Sequence, residues 1–341
     1  MTKVKVSING YGSIGKRVAD LVSIQNDMEV IGISKLHPNY ETNIAKYRKY
    51  PIYTIKKNIE SFESSGFEIK GTIEEMISES DIVVDCTPKN IGFTNKNLYQ
   101  DKNIKAIWQG GEKKEITKKS FNSISNYDQL FGEKYARIVS CNTTGICRLL
   151  YPLDNEYNIK ESHITIIRRS ANIKNINRGP IDSIIMDPIN MPSHHSYDVN
   201  SILPNINIIT SSIRIPTTFM HLQVINIELK KNTNIENIKK LIYNQPRIKM
   251  INMDINSTSQ IIDYSRDLIR PRNDIWENCI FSKSILYFNN HLYLYQSIDP
   301  EAIVIPENID CIRSMMQLES DKFTSIKKTD ESLQKFNQML F

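Results

Sequence analysis

The sequence predicts an α/β protein in two parts. A doubly wound parallel sheet with helices on both faces comes first, then an α+β domain built on a mostly antiparallel sheet. Three observations predict it. Short apolar runs alternate with helix-patterned stretches through the first 140 residues. Near residue 160 the texture changes to long strand-like alternations rich in β-branched residues. A chain of 341 residues is too long for one ordinary domain and comfortable for two.

Val4 to Ile8 reads as a strand, Ile14 to Ser23 as a helix and Met28 to Ser34 as a second strand. A helix over Ile73 to Ser80 precedes a buried strand at Ile82 to Cys86, another at Ile104 to Trp108 and one more over Phe131 to Ser140. Such alternation requires crossover connections, which place helices on both faces of a parallel sheet. Beyond residue 160, His163 to Arg169 and Phe219 to Leu229 alternate like strands with one covered face. Between them, Gly179-Pro180, Asp187-Pro188 and Met191-Pro192 mark a loop-rich stretch. Ile235 to Tyr243 reads as a helix capped near Asn232 to Asn234, and Leu286 to Tyr295 as a hairpin turning at Asn289-Asn290. Pro306 to the C-terminus reads as one or two helices, with Pro306 in the first turn. The expected domains are residues 1–140, with the helical segment 306–341 packing back on them, and residues 141–305.

Hydrophobic residues make up 40% of the chain and charged residues 24%, ordinary globular values that exclude disordered and fibrous classes. The net charge of +5 suits phosphorylated metabolites, but the basic residues are spread along the chain, so no nucleic-acid partner is expected. No stretch approaches the roughly 20 apolar residues of a membrane span. The first residues alternate as a strand rather than forming a leader, so the expectation is no membrane and a cytoplasmic location. Five cysteines at irregular spacing, with no Cys-x-x-Cys pair, predict neither a disulfide framework nor a metal site.

Gly10-Tyr11-Gly12-Ser13-Ile14-Gly15 follows an apolar strand and opens a helix, the context a dinucleotide fingerprint requires. Gly10 permits the tight turn, Gly12 lets backbone approach a pyrophosphate, and Gly15 allows close helix–strand contact. The helix start adds free N–H groups and a positive dipole end. Twenty residues on, where an acid usually binds the ribose hydroxyls of NAD, stand Ser34 and Lys35. A lysine cannot accept those bonds but can pair with a 2′-phosphate, so NADP is expected to serve at least as well as NAD. The alternative is that Lys35 is a solvent-facing loop residue.

Ser140-Cys141-Asn142-Thr143-Thr144-Gly145 follows a strand and precedes the helix-compatible run Ile146 to Leu150. A thiol at a helix start has its thiolate stabilised by the dipole and by unpaired N–H groups, and the same groups can hold an oxyanion. The small polar neighbours, Thr143 among them, suit a site that ligands enter. A thiolate beside a hydride acceptor suggests aldehyde oxidation through a thioester, which needs a base. On spacing alone His221 and His195 are rival bases, while Arg168-Arg169, at a strand end, offers fork-shaped cations for phosphate. Adjacent strand residues point to opposite faces, so one of the two arginines is expected to serve the site.

Together these segments resemble the archaeal glyceraldehyde-3-phosphate dehydrogenases over nearly the whole chain. The motifs are Ile8 through Asp20, Ser140 through Gly145, Pro192-Ser193-His194-His195, Ile215-Pro216-Thr217-Thr218 with His221, and Pro306 through Asp310, in family order. The resemblance implies a Rossmann-type first domain and a homotetramer. It also implies NAD(P)-dependent oxidation of D-glyceraldehyde 3-phosphate with inorganic phosphate to 1,3-bisphosphoglycerate. It makes Cys141 the nucleophile and His221 the base. It maps Ser140, Asn142, His194 and His195 to substrate and phosphate contacts, and Ser13, Ile14, Gly111 and Arg169 to cofactor contacts. Relatives usually read Gln-Glu-Ser where this chain has Pro300-Glu301-Ala302, and Pro300 cannot make a contact that a Gln side chain makes. The rival reading is a semialdehyde or acyl-phosphate dehydrogenase of amino-acid biosynthesis, which shares the thioester chemistry.

Overall fold

Val6 and Ile8 are fully buried in the opening strand, β1 (Val4–Asn9), which lies near the centre of an eight-stranded sheet. The structure is a computed structural model describing residues 2–109, 111–171 and 179–336. The other strands of this sheet are β2 (Met28–Ser34), β3 (Ile52–Thr54), β4 (Gly71–Thr72), β5 (Ile82–Asp85), β6 (Lys105–Trp108), β7 (Ser120–Phe121) and β8 (Tyr135–Ile138). All pair in parallel, in the order β4-β3-β2-β1-β5-β6-β8-β7. Parallel neighbours cannot be joined by a tight hairpin. Between these strands lie α1 (Gly15–Ser23), α2 (Tyr40–Tyr47), α3 (Ile59–Ser64), α4 (Ile73–Ser78), α5 (Ile91–Asp101) and α6 (Ser123–Asn126). The strand order reverses between β1 and β5, and the crevice outside their carboxyl ends is where open α/β sheets bind ligands. The expected strand over Phe131 to Ser140 is confined to Tyr135–Ile138, because Gly132 adopts φ +77° in a turn.

A second compact unit covers Ser140–Val304. It opens with α7 (Cys141–Tyr157) and carries a second eight-stranded sheet. Its strands are β9 (Ile159–Arg169), β10 (Ile185–Met186), β11 (Ile208–Ile215), β12 (His221–Leu229), β13 (Ile248–Ile251), β14 (Asn278–Phe281), β15 (Leu286–Phe288) and β16 (His291–Ile298). Their order is β10-β11-β9-β12-β16-β14-β13, with β15 on β16. The sheet is mixed: β9–β11 and β13–β14 run parallel and the other described pairings antiparallel. The β15–β16 hairpin turns at Asn289 and Asn290, whose φ values of +49° and +62° suit a two-residue turn with both central residues left-handed. The remaining helices of this unit are α8 (His194–Asn200), α9 (Ile235–Tyr243) and α10 (Thr258–Asp267). His194 and His195, read from sequence as loop residues, start α8.

Alternation along β12 decides what this sheet presents on each side. His221, Gln223, Ile225 and Ile227 turn to the side where α7 packs, and all are buried. Leu222, Val224, Asn226 and Glu228 take the opposite side and stay half-buried. There, α10 covers the end near β13 and β14 through Ile261 and Ile262 against Ile251 and Cys279.

The first unit is completed by Ile305–Leu333, which holds α11 (Ile305–Met315) and most of α12 (Lys322–Phe336). Arg313 on α11 donates to both carboxylate oxygens of Asp27 at 2.7 and 3.2 Å and to Gln25 and Thr329 at 2.6 Å. Lys105 of β6 donates to the last carbonyl of α11, Met315, at 2.6 Å. Residues 337–341 of the expected terminal segment lie outside the described residues.

Candidate active site

In the first unit the glycines of the opening loop take distinct roles. Gly10 adopts φ +100°, and a Cβ there would lie 2.9 Å from the Cys86 carbonyl carbon at the end of β5. A Cβ on Gly15 would lie 2.0 Å from the Gly10 carbonyl oxygen, so the loop folds onto its own helix only because both lack side chains. A Cβ on Gly12 would meet nothing within 4 Å, which leaves open space against bare backbone. No side chain caps α1, and its first turn holds no acid, so its positive end is not neutralised locally. This cradle fits a pyrophosphate. Ser13 and Ile14 supply its middle, and Arg17 ties the Ser13 carbonyl at 2.7 Å. Gly111, beyond β6, adopts φ +76° with open space beside it. Gly110 lies outside the described residues.

Ser34 and Lys35 differ from what their position suggested. Ser34 is buried, donating its hydroxyl to Asn9 Oδ1 at 2.6 Å and accepting from the Gly10 N–H at 2.8 Å. It braces the phosphate loop from beneath. Lys35 is neither free nor solvent-facing: its ammonium meets Glu41 at 2.5 Å and the Tyr11 carbonyl at 3.0 Å. Lys16 also approaches the Glu41 carboxylate, at 3.6 Å.

In the second unit, Ser140 caps α7 by accepting from the Thr143 N–H at 3.3 Å, leaving Cys141 as the first helical residue. Thr143 Oγ1 donates to Asp198 at 2.7 Å, and the Ser140 N–H reaches the same carboxylate at 3.3 Å, so α8 holds the start of α7 in place. Cys141 Sγ lies 4.0 Å from Nδ1 of His221, the first residue of β12. Asn142, buried behind them, brings both rival histidines together: Oδ1 is 3.1 Å from His221 Nδ1, and Nδ2 is 3.3 Å from His195 Nε2. Ser193 Oγ meets the other nitrogen of His195 at 3.1 Å. His194 stands outside this cluster, exposed, with its ring centroid 4.0 Å from that of His195 and the two rings tilted by 32°.

Charge around the sulfur decides protonation. Burial pushes the Cys141 thiol above its ordinary range; Arg168, Arg169 and the Asn142 N–H pull it down, and Asp299 raises it. Burial outweighs the helix start at this sulfur, contrary to the expectation of a stabilised thiolate. Burial, then Arg168 and Arg169, hold His221 well below the usual histidine range, so it is neutral near pH 7. His195 is lowered in the same way, by burial first and then by His194, Arg168 and His221. A neutral imidazole beside a protonated thiol is a base waiting for its proton.

Both arginines act on the site electrostatically, although alternation sends them to opposite faces. Arg168 pairs with Asp187 at 2.8 Å, and Arg214, beside it in register on β11, reaches the same carboxylate at 3.0 Å. Two cations sharing one carboxylate leave net positive charge where an anion can dock. Sequence reading missed Arg214, Asp198 and the buried Gln223; for Gln223 the only signal was a polar residue at a core-facing position of a strand. Arg169 donates to the Thr218 carbonyl at 3.2 Å and pairs with Glu301 at 3.0 Å, next to Pro300.

Comparison with known proteins bears on this arrangement. Residues 140–283 match the family described as glyceraldehyde 3-phosphate dehydrogenase, C-terminal domain. The glyceraldehyde-3-phosphate dehydrogenase of Methanococcoides burtonii is 50% identical over 333 residues, 98% of this chain and 99% of that protein. Glyceraldehyde-3-phosphate dehydrogenase 1 of Methanosarcina barkeri is 48% identical, covering 98% of each. The Archaeoglobus fulgidus glyceraldehyde-3-phosphate dehydrogenase is 45% identical over 337 residues, again 98% of each.

Proposed function

The chain belongs to the glyceraldehyde-3-phosphate dehydrogenase family, and from that premise we propose how its residues oxidise D-glyceraldehyde 3-phosphate with NAD(P) and inorganic phosphate to 1,3-bisphosphoglycerate. The observation that carries the assignment of roles is Cys141 at the head of α7, 4.0 Å from a neutral His221. Cys141 gives its proton to His221, and the sulfur lone pair adds to the aldehyde carbon. The N–H groups at the start of α7 receive the oxygen that becomes negative. His221 returns that proton to the oxygen, forming a hemithioacetal, and later removes it again as the carbonyl re-forms. Bound nicotinamide supplies the acceptor for the hydride that leaves the same carbon. Phosphate then attacks the thioester, the carbon–sulfur bond breaks, and Cys141 leaves as a thiolate to be reprotonated.

The division of labour follows the two units. Gly10, Gly12, Ser13, Ile14 and Gly15 hold the cofactor phosphates, with Gly111 and Arg169 as further contacts suggested by family resemblance. Ser140, Asn142, Thr143, Arg168, His194 and His195 serve the substrate and the attacking phosphate. Lys35 favours NADP by pairing with a 2′-phosphate that must compete with Glu41. A semialdehyde or acyl-phosphate dehydrogenase is not favoured, because relatives matching the whole chain are named glyceraldehyde-3-phosphate dehydrogenase. Among the described residues no helix is long and apolar enough to cross a membrane, in keeping with work in the cytoplasm.

The chain works as a homotetramer in this reading. The support is the sheet face turned away from α7, where Leu286, Phe288, Tyr293, Tyr295 and Ile209 are exposed, and the exposed apolar segment around Ile181, Ile189 and Met191.

A spectrophotometric assay tests the reaction. Reduction of cofactor by glyceraldehyde 3-phosphate should require inorganic phosphate; turnover that ignores phosphate would remove the acyl-phosphate product. Cys141→Ser should fold, bind cofactor and lose turnover, and His221→Asn should slow acylation by roughly 10²–10⁴-fold. A wild-type rate in either variant would strip that residue of its role.

A further inference from the structure

Behind Asn142 runs a row of three buried side-chain amides, Asn278, Gln296 and Gln223, each fully shielded from solvent. Amides in a core need partners, and here the partners fix which end of each is NH₂. Asn278 Nδ2 donates to the Gly145 carbonyl at 2.7 Å and to Gln296 Oε1 at 3.1 Å. Gln296 Nε2 donates to the same Gly145 carbonyl at 3.3 Å and to Gln223 Oε1 at 2.6 Å. Gln223 Nε2 donates to the Asn142 carbonyl and to Asn142 Oδ1, both at 3.2 Å. A main-chain carbonyl can only accept. Two carbonyls of α7 therefore fix the direction of the whole row, and the row hands that direction to Asn142.

We propose that Gln223 is a positioning residue for the base: through the amide row it holds the Asn142 oxygen against His221 Nδ1 and the Asn142 NH₂ against His195 Nε2. The two histidines thereby receive opposite roles. An oxygen 3.1 Å from Nδ1 disfavours a lone pair there and holds the proton of the neutral ring on Nδ1. The lone pair that takes the Cys141 proton is therefore the one on Nε2, and the imidazolium that results keeps its bond to Asn142. An NH₂ group at His195 Nε2 demands a lone pair, which sends the His195 proton to Nδ1 and its partner Ser193 Oγ. Were Asn142 flipped, its NH₂ would oppose protonation of the base. Charged groups acting on the pair are Arg168 and Arg169 from β9 and Asp299 near the sulfur; His195 and Asp198 approach from α8. None of these is hydrogen-bonded to Gln223 among the described residues, so a Gln223 substitution reports on the amide row.

The inference rests on the reading of Cys141 and His221 as nucleophile and base, and one experiment separates the two. The rate of Cys141 alkylation by iodoacetamide is measured against pH in wild type, Gln223→Met and Gln223→Glu, together with kcat and KM. Failure of wild type to be inactivated would sink the nucleophile itself. With a reactive wild type, the expected result in both variants is an alkylation midpoint about one pH unit higher and kcat reduced roughly tenfold, one unit being a factor of ten in thiolate. KM for glyceraldehyde 3-phosphate should stay within about twofold, since Gln223 is screened from substrate by Asn142. Folded variants with the wild-type midpoint would overturn the proposal. If neither variant folds, ¹⁵N-histidine NMR of the wild type decides. A hydrogen on Nδ1 of both His221 and His195 supports the amide row, and a bare Nδ1 on His221 refutes it.

Discussion

At the residue scale, cofactor choice turns on a competition for one ammonium group. Lys35 sits against the nearly buried Glu41 carboxylate, which also draws Lys16. A 2′-phosphate entering there must share that cation with an acid already in place. Glu41→Gln removes the competing charge while keeping shape and acceptor, and should raise the ratio of kcat/KM for NADP over NAD by roughly fivefold to tenfold, the worth of one charge-assisted bond in a half-wet setting. An unchanged ratio would show that Lys35 does not meet the 2′ position. Sequence carried the chemistry-bearing types well at this scale. Cys141 and the glycines of the loop announce themselves by spacing and by the elements on either side, whereas His221 and His195 stay rivals until the family resemblance favours His221. What it hid was occupancy: nothing in the order of residues says that Glu41, six positions on, folds back onto Lys35, or that the Ser34 hydroxyl is consumed beneath the loop.

At the element scale, legibility followed length. β2 and α9 have the bounds their patterns suggest, Met28–Ser34 and Ile235–Tyr243, because seven or nine residues suffice to display a period. Strands of two or three residues, such as β3 and β4, and the seven-residue α8 offer too little pattern to see. Gln223 and Gln296 were missed for a related reason. Alternation places them on the buried side of their strands, where a polar residue looks like an interruption of the core until its partners are known. α11 supplies the prediction that belongs here. Its Arg313 lies 3.9 Å from the fully buried Asp310 and binds Asp27 with two nitrogens. Arg313→Met keeps the volume but strands buried negative charge, and should cost about 3–5 kcal/mol in denaturant unfolding. A loss below about 1 kcal/mol would mean that α11 is held by apolar packing alone.

For the whole molecule, the second sheet is the element most in need of company. α7 covers one side, while the other, from β11 across to β15, keeps Ile209, Tyr293, Tyr295, Leu286 and Phe288 in water. Light scattering should find a homotetramer, and Tyr293→Lys paired with Phe288→Glu should yield smaller species. A double variant of unchanged mass would put the contact elsewhere. Temperature adds a consequence. Cohesion between oily surfaces weakens on cooling, so dilute enzyme kept on ice should lose activity as its subunits part, and recover it on return to a warm bench.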